Sequence, residues 1–202
     1  MIEENNFDQF YADEQLRRSK HPIRRLIKYF YIKNIIKDVV GLAIDLGCGA
    51  GQLLEKLPPD SLGLELNPFL IKELSSKGLQ TLRFDINEDN GRFSGIPSNQ
   101  FKTLIISHVL EHFADASAVM QKLFSSANDL GITRIIIVVP GKVGYASDST
   151  HRTFINVAYI KNHGLEFMSG YQLISASHFP VPIECVGDIS IYQELKHIYE
   201  QT

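Results

Sequence analysis

The 202-residue sequence predicts an α/β domain, a mostly parallel sheet with helices on both faces. Three observations carry this. Short β-branched runs alternate with helical patterns along the chain. Two runs, "FKTLIISHV" (101–109) and "ITRIIIVVP" (132–140), are almost continuously apolar, as strands covered on both faces must be. A glycine-rich turn follows the first run, "LAIDLG" (42–47).

The elements follow in order. "MIEENNFDQF" (1–10) is acidic and polar, unlike a secretory signal. "HPIRRLIKYFYIKNIIKDV" (21–39) reads as a leading helix over a pocket, so 1–40 is expected to form a helical cap and 41–202 a single globular unit. After the first strand, "GQLLEKL" (51–57) reads as a helix, then "SLGLEL" (61–66) as the second strand. "NPFLIKELSSKG" (67–78) has Asn67 as cap, Pro68 at a first helical position and Gly78 as stop. "LQTLRFD" (79–85) reads as the third strand, and "DASAVMQKLFSSAND" (115–129) carries a helical apolar stripe between the fourth and fifth. Residues 154–163 look helical. The stretch 165–192 reads as two more strands joined around "HFPVP" (178–182), where the prolines disfavour sheet.

Composition narrows the class. Net charge is −3, from 20 Lys+Arg against 23 Asp+Glu, so neither a nucleic-acid nor a membrane partner is expected. The basic stretch "RRSKHPIRRLIK" (17–28) is interrupted by Ile and Leu and reads as a solvated helix face. Two cysteines, Cys48 and Cys185, lie far apart and point to a reducing compartment, and the longest apolar run, "IIIVVP" (135–140), is too short for a bilayer. A cytoplasmic protein, monomer or homodimer, is expected.

The turn "AIDLGCGAG" (43–51) has G-x-G-x-G spacing at Gly47, Gly49 and Gly51. The dinucleotide fingerprint would need glycine where Gln52 stands, and no P-loop Lys-Ser/Thr follows. Asp45 sits at the strand end, where a carboxylate repels a pyrophosphate and suits a cation. Glu65 ends the second strand, where an acid can bond both ribose hydroxyls, and Asp85 ends the third, placed for an exocyclic amine. These acids suit a nucleoside carrying positive charge, and S-adenosylmethionine is such a molecule.

On "IDLGCGAG", "GLEL", "FDI", "FKTLIISHVLEHF" and "IIIVVP", between about 42 and 140, the chain resembles class I S-adenosylmethionine-dependent methyltransferases of the type-11-like, small-molecule kind. "DSTHRTF" (148–154) is similar to their D-x-T-H-x-R-x-F stretch, with Arg152 directly after His151. The resemblance implies a Rossmann-like seven-stranded sheet in order 3-2-1-4-5-7-6 with strand 7 antiparallel, and makes 41–202 the cofactor-binding methyltransferase domain. It also implies residue roles. Gly47, Gly49 and Gly51 would pass under the methionine part and Asp45 would position its ammonium. Glu65 would hold the ribose, with Leu66 beside the adenine. Asp85 and the Ile86 amide would read the adenine, and Ser107 and His108 would lie at the methionine end.

"SHVLEHF" (107–113) contains H-x-x-E-H, on a helix an inverted zinc-peptidase signature. Here His108 falls at a strand end instead. The stretch is also similar to the E-x-x-E-H of ubiquinone-type O-methyltransferases, linked there to a divalent ion, but His108 replaces the first acid. Glu111 and His112 are therefore expected to bond within their loop and a resident metal is not expected, though whether these two residues bind an ion stays open. For proton removal the candidates are His108, His112 and His151. His112, His151 and Arg152 are expected on the substrate side, the last two because they follow the carboxyl end of strand five. "GKVGY" (141–145) reads as a substrate flap. The chain length favours a small-molecule acceptor.

Two other readings stay open. The chain is also similar to MetW-type proteins, in "GLQTLRFDINED" (78–89) and "VVPG" (138–141), which implies a cofactor-binding partner protein without transfer of its own. A nicotinamide-dependent reductase is disfavoured by Gln52 and Asp45.

Overall fold

The computed structural model describes residues 8–20, 22–183, 190 and 192–202, and within the leading helices it describes no side chains over 18–25. The basic stretch 17–28 and Cys185 therefore fall wholly or partly outside the described residues. Two helices lead, α1 (Gln9–Lys20) and α2 (Pro22–Ile36). The core then runs β1 (Ala43–Leu46), β2 (Leu62–Glu65), α3 (Pro68–Ser76), β3 (Gln80–Arg83), β4 (Thr103–Ser107), α4 (Ala116–Asp129) and β5 (Arg134–Pro140). It closes with α5 (Lys142–Ala146), α6 (Val157–Asn162), β6 (Phe167–Met168), β7 (Tyr171–Phe179) and β8 (Glu194–Gln201).

The sheet has eight strands in order β3-β2-β1-β4-β5-β8-β7-β6, with β1 to β5 parallel and β8 antiparallel to both β5 and β7. The expected seven-strand order is thus met with one addition: β6, a two-residue edge strand, pairs antiparallel with β7. β8 also begins beyond residue 192, so only one of the two strands expected within 165–192 has that place.

Alternation shows why the strands read as unbroken apolar runs. Ile44, Leu46, Leu104, Ile106, Ile135 and Ile137 pack into one core with Met120, Leu123 and Phe124 of α4. Ala43, Ile105, Ile136 and Val138 pack into a second core with Tyr31, Ile32 and Ile35 of α2. Successive side chains leave opposite faces of a strand, so a sheet buried twice needs apolar residues at every position. Caps follow their predicted chemistry: the Asn67 side chain accepts from the amides of Phe69 and Leu70 at α3, and Asp115 accepts from Ala118 at α4.

Two local expectations are corrected. The helix expected at 51–57 is only a 3-10 turn, Leu54–Lys56. Gly51 has φ +76° and Pro58 follows, leaving too few residues to nucleate an α-helix. "GKVGY" falls in the short helix α5 with Gly141 as its N-cap, and not in an irregular loop. Among the described residues, no helix is long and apolar enough to cross a membrane.

Candidate functional site

The strand order reverses at β1, which pairs in parallel with β2 on one side and with β4 on the other. Open α/β sheets bind ligands at such a switch point, outside the carboxyl ends of the strands. A cleft of about 1090 Å³ lies there, roofed by Tyr11, Gln15, Lys28 and Tyr31 of α1 and α2. This is just above the roughly 300–1,000 Å³ usual for one drug-sized ligand.

Most of the residues expected from sequence meet in this cleft. Asp45, Gly47, Gly49, Glu65, Leu66, Asp85, Ile86, Ser107, His108, His112, His151 and Arg152 all line it. Gly51 does not; a Cβ there would lie 2.4 Å from Leu74 Cδ2, so this glycine serves packing against α3. Gly49 differs: at φ +54° it has open space where a Cβ would go, which lets a ligand approach the turn.

The acids have distinct settings. Asp45 is 2% exposed, and its Oδ2 has no hydrogen-bond partner among the described residues. Burial pushes its carboxyl up to about 7, against the pull of Lys28 and with a contribution from Glu65. Glu65 accepts from the amides of Gly49 (2.8 Å), Leu66 (2.9 Å) and Asn67 (2.9 Å), tying the glycine turn to the end of β2. Asp85 accepts from the Asn87 amide at 2.8 Å.

His108 has φ +56° and is held between two carboxylates, with Nδ1 at 3.2 Å from Glu111 and Nε2 at 3.4 Å from Glu194. Burial pushes its pKa down, but Glu194 and Glu111 outweigh that and raise it to about 10. The Tyr31 ring stacks on it, and the Tyr31 hydroxyl bonds Ser107. His151 lies farther along, its Nδ1 donating to the Tyr145 carbonyl (2.8 Å) and its ring 4.9 Å from that of His112. The Arg152 amide donates to the Glu111 carbonyl at 2.7 Å, while its side chain is exposed.

Lys28, Tyr31 and Glu194 were not legible as site residues. Lys28 and Tyr31 share one face of α2 by their i,i+3 spacing, a signal that a buried helix face gives equally well. The basic stretch read as a solvated face thus ends in a residue of the cleft. Its pKa is lowered by burial, against the pull of Glu194 and Asp45.

The profile of the family described as MetW, methionine biosynthesis protein MetW, matches residues 27–145, more than half of the chain. No curated protein matches by sequence. The fold is that of the class I S-adenosylmethionine-dependent methyltransferases. An S-adenosylmethionine-dependent methyltransferase from Archaeoglobus fulgidus has a TM-score of 0.67 at 17% identity, covering 96% of this chain and 100% of that one. Magnesium protoporphyrin IX methyltransferase from Synechocystis PCC 6803, with bound S-adenosylhomocysteine, also gives 0.67, at 15% identity over 98% and 97%. The N-methyltransferase NodS from Bradyrhizobium japonicum WM9, with S-adenosylhomocysteine, gives 0.62 at 12% over 95% and 97%. At such identities the likeness is one of fold alone.

Proposed function

The chain belongs to the MetW family, and from that premise we propose that it binds S-adenosylmethionine in the cleft and transfers its methyl group to a small-molecule oxygen or nitrogen. The observation that carries this reading is Asp45, a buried carboxylate with one oxygen unpartnered among the described residues, bordering the cleft. Such a group suits a cation and opposes a pyrophosphate, which favours a donor with an ammonium over a nicotinamide dinucleotide.

The other roles follow from position. Gly47 and Gly49, with Gly51 behind them, carry the turn beneath the methionine part. Glu65 keeps lone pairs for the ribose hydroxyls, and Leu66 flanks the adenine. Asp85 and the Ile86 amide face the adenine edge, while Ser107 and His108 border the methionine end. The sulfonium of the bound donor supplies an already activated methyl carbon; the chain's own task is to align the acceptor and exclude water. His108, charged between two carboxylates, has no lone pair to take a proton and serves as a positioning group. Proton removal from an acceptor hydroxyl then falls to the end of the cleft where His112, His151 and Arg152 lie. The helices α1 and α2 close over the donor, with Lys28 and Tyr31 facing it.

Calorimetric titration with S-adenosylmethionine, and with NADH as competitor reading, tests this directly. The donor is expected to bind about tenfold more tightly at pH 8 than at pH 6, releasing a proton near pH 7. The sign follows from Asp45, whose raised pKa leaves it largely protonated at pH 6, while an ammonium favours the ionised form. No measurable binding of S-adenosylmethionine or S-adenosylhomocysteine would overturn the reading.

A second reading has a specific motive. The family match ends at residue 145, so of the acceptor-end residues it includes His112 but neither His151 nor Arg152. A cofactor-binding partner protein of MetW type would bind the donor and release no S-adenosylhomocysteine across a metabolite panel.

A further inference from the structure

We propose that Glu111, His112 and His151 form a site for a divalent first-row transition ion at the acceptor end of the cleft. Their ligand atoms all lie within 4.8 Å of one another. His108, the first histidine of H-x-x-E-H, is not part of the set, because Glu194 and Glu111 hold it. His151, forty residues from Glu111 in sequence, takes its place.

Three features separate this cluster from ordinary loop hydrogen bonding. First, Glu111 is fully buried, yet its Oε2 has no hydrogen-bond partner among the described residues. A buried carboxylate oxygen left so is costly and calls for a cation. Second, the partners of both histidines fix which ring nitrogen keeps a lone pair. The Tyr145 carbonyl can only accept, so His151 carries its proton on Nδ1 and its lone pair on Nε2. Thr150 Oγ1 gives its one proton to Asp148 at 2.7 Å, so at 3.1 Å it accepts from His112 Nδ1, leaving that lone pair on Nε2 as well. A ring N–H donated to a carbonyl or hydroxyl, with the other nitrogen free, is how metal-binding histidines are oriented. Third, His151 Nε2 and Glu111 Oε1 stand 4.0 Å apart, too far for a hydrogen bond. Two tetrahedral bonds of about 2.0–2.2 Å to one ion set their donor atoms about 3.3–3.6 Å apart, so this pair stands a few tenths of an ångström wide of that spacing. A small closure of the three side chains brings them onto an ion.

Two imidazoles and one carboxylate select zinc, iron(II), cobalt(II) or manganese over calcium and magnesium, and they leave coordination positions open. Those positions border the same cleft, since both histidines line it. If the methyl-transfer reading holds, an acceptor with two neighbouring oxygens would be held there, and with the ion bound its positive charge, in place of a free imidazole, would ease loss of the acceptor's proton.

The test uses the full chain, without added histidines and without S-adenosylmethionine, so its outcome is independent of the donor reading, which a parallel S-adenosylmethionine titration measures separately. Cobalt(II) is titrated and its ligand-field absorption recorded, with zinc binding followed by competition. One equivalent is expected, and His112→Ala and His151→Ala should each weaken binding at least about tenfold. Thr150→Ala, which frees the His112 ring, should weaken it less. Glu111→Gln is the sharper variant, but Glu111 is buried, so the half-exposed His112 keeps the test valid if that protein fails to fold. Absence of stoichiometric binding, or binding unchanged in both histidine variants, would overturn the site.

Discussion

Glu65→Ala is expected to weaken S-adenosylmethionine binding by at least about a hundredfold. Hydrogen bonds to a charged group contribute about 1.5–3 kcal/mol each, and two ribose hydroxyls meet this carboxylate in the proposed complex. The same side chain accepts from the amides of Gly49, Leu66 and Asn67, so its removal also frees the turn that passes under the donor. Glu65→Gln keeps one accepting oxygen and is expected to retain part of the affinity. Calorimetry on both variants, with circular dichroism to confirm folding, makes the comparison. If Glu65→Ala binds within about threefold of the parent, the donor's ribose does not sit at the end of β2.

The second large effect concerns stability. His197 on β8 is fully buried, opposite Ile137 and Ala176, and neither ring nitrogen has a partner among the described residues. Burial, with a smaller contribution from His178, pushes its pKa down to about 4. The unfolded chain therefore binds a proton between about pH 6.5 and 4 that the folded chain does not, and stability is lost as pH falls through that window. Between pH 7.5 and pH 5 this amounts to about 2 kcal/mol. Asp45 acts in the opposite direction over the same window, because its folded pKa is raised, so the parent's pH profile mixes the two. The difference between parent and His197→Leu isolates the histidine. The variant is expected to gain about 4–8 °C in melting temperature on the parent between pH 7.5 and pH 5. A pH-independent difference would mean that the ring is solvated or charged in the fold.

The glycine-turn half of the cleft was legible because its residues are local to strand ends. Asp45, Glu65 and Asp85 each follow a short apolar run, and the glycine spacing sits beside the first of them. A parallel sheet places successive strand ends side by side, so residues read one strand at a time fall together in space. The helices at 68–76 and 116–129 were legible for a similar reason, since period and caps are written within a dozen residues.

What escaped the sequence depends on pairing across long separations. Lys28 and Tyr31 reach the cleft because α2 packs on one face of the sheet, and Glu194 because β8 inserts beside β5. That insertion sets His108 between two carboxylates, which raise its pKa to about 10 against the effect of burial. The antiparallel return of β8, the edge strand β6 and the meeting of His112 with His151 all follow from how the chain closes after β5. By itself, the sequence determined the doubly covered parallel sheet and the acidic, glycine-floored pocket at its switch point, because periodicity and strand-end chemistry are local. The tertiary structure alone decided which charges face one another inside that pocket, because burial and proximity, not residue identity, set whether a histidine is a base, an ion or a ligand.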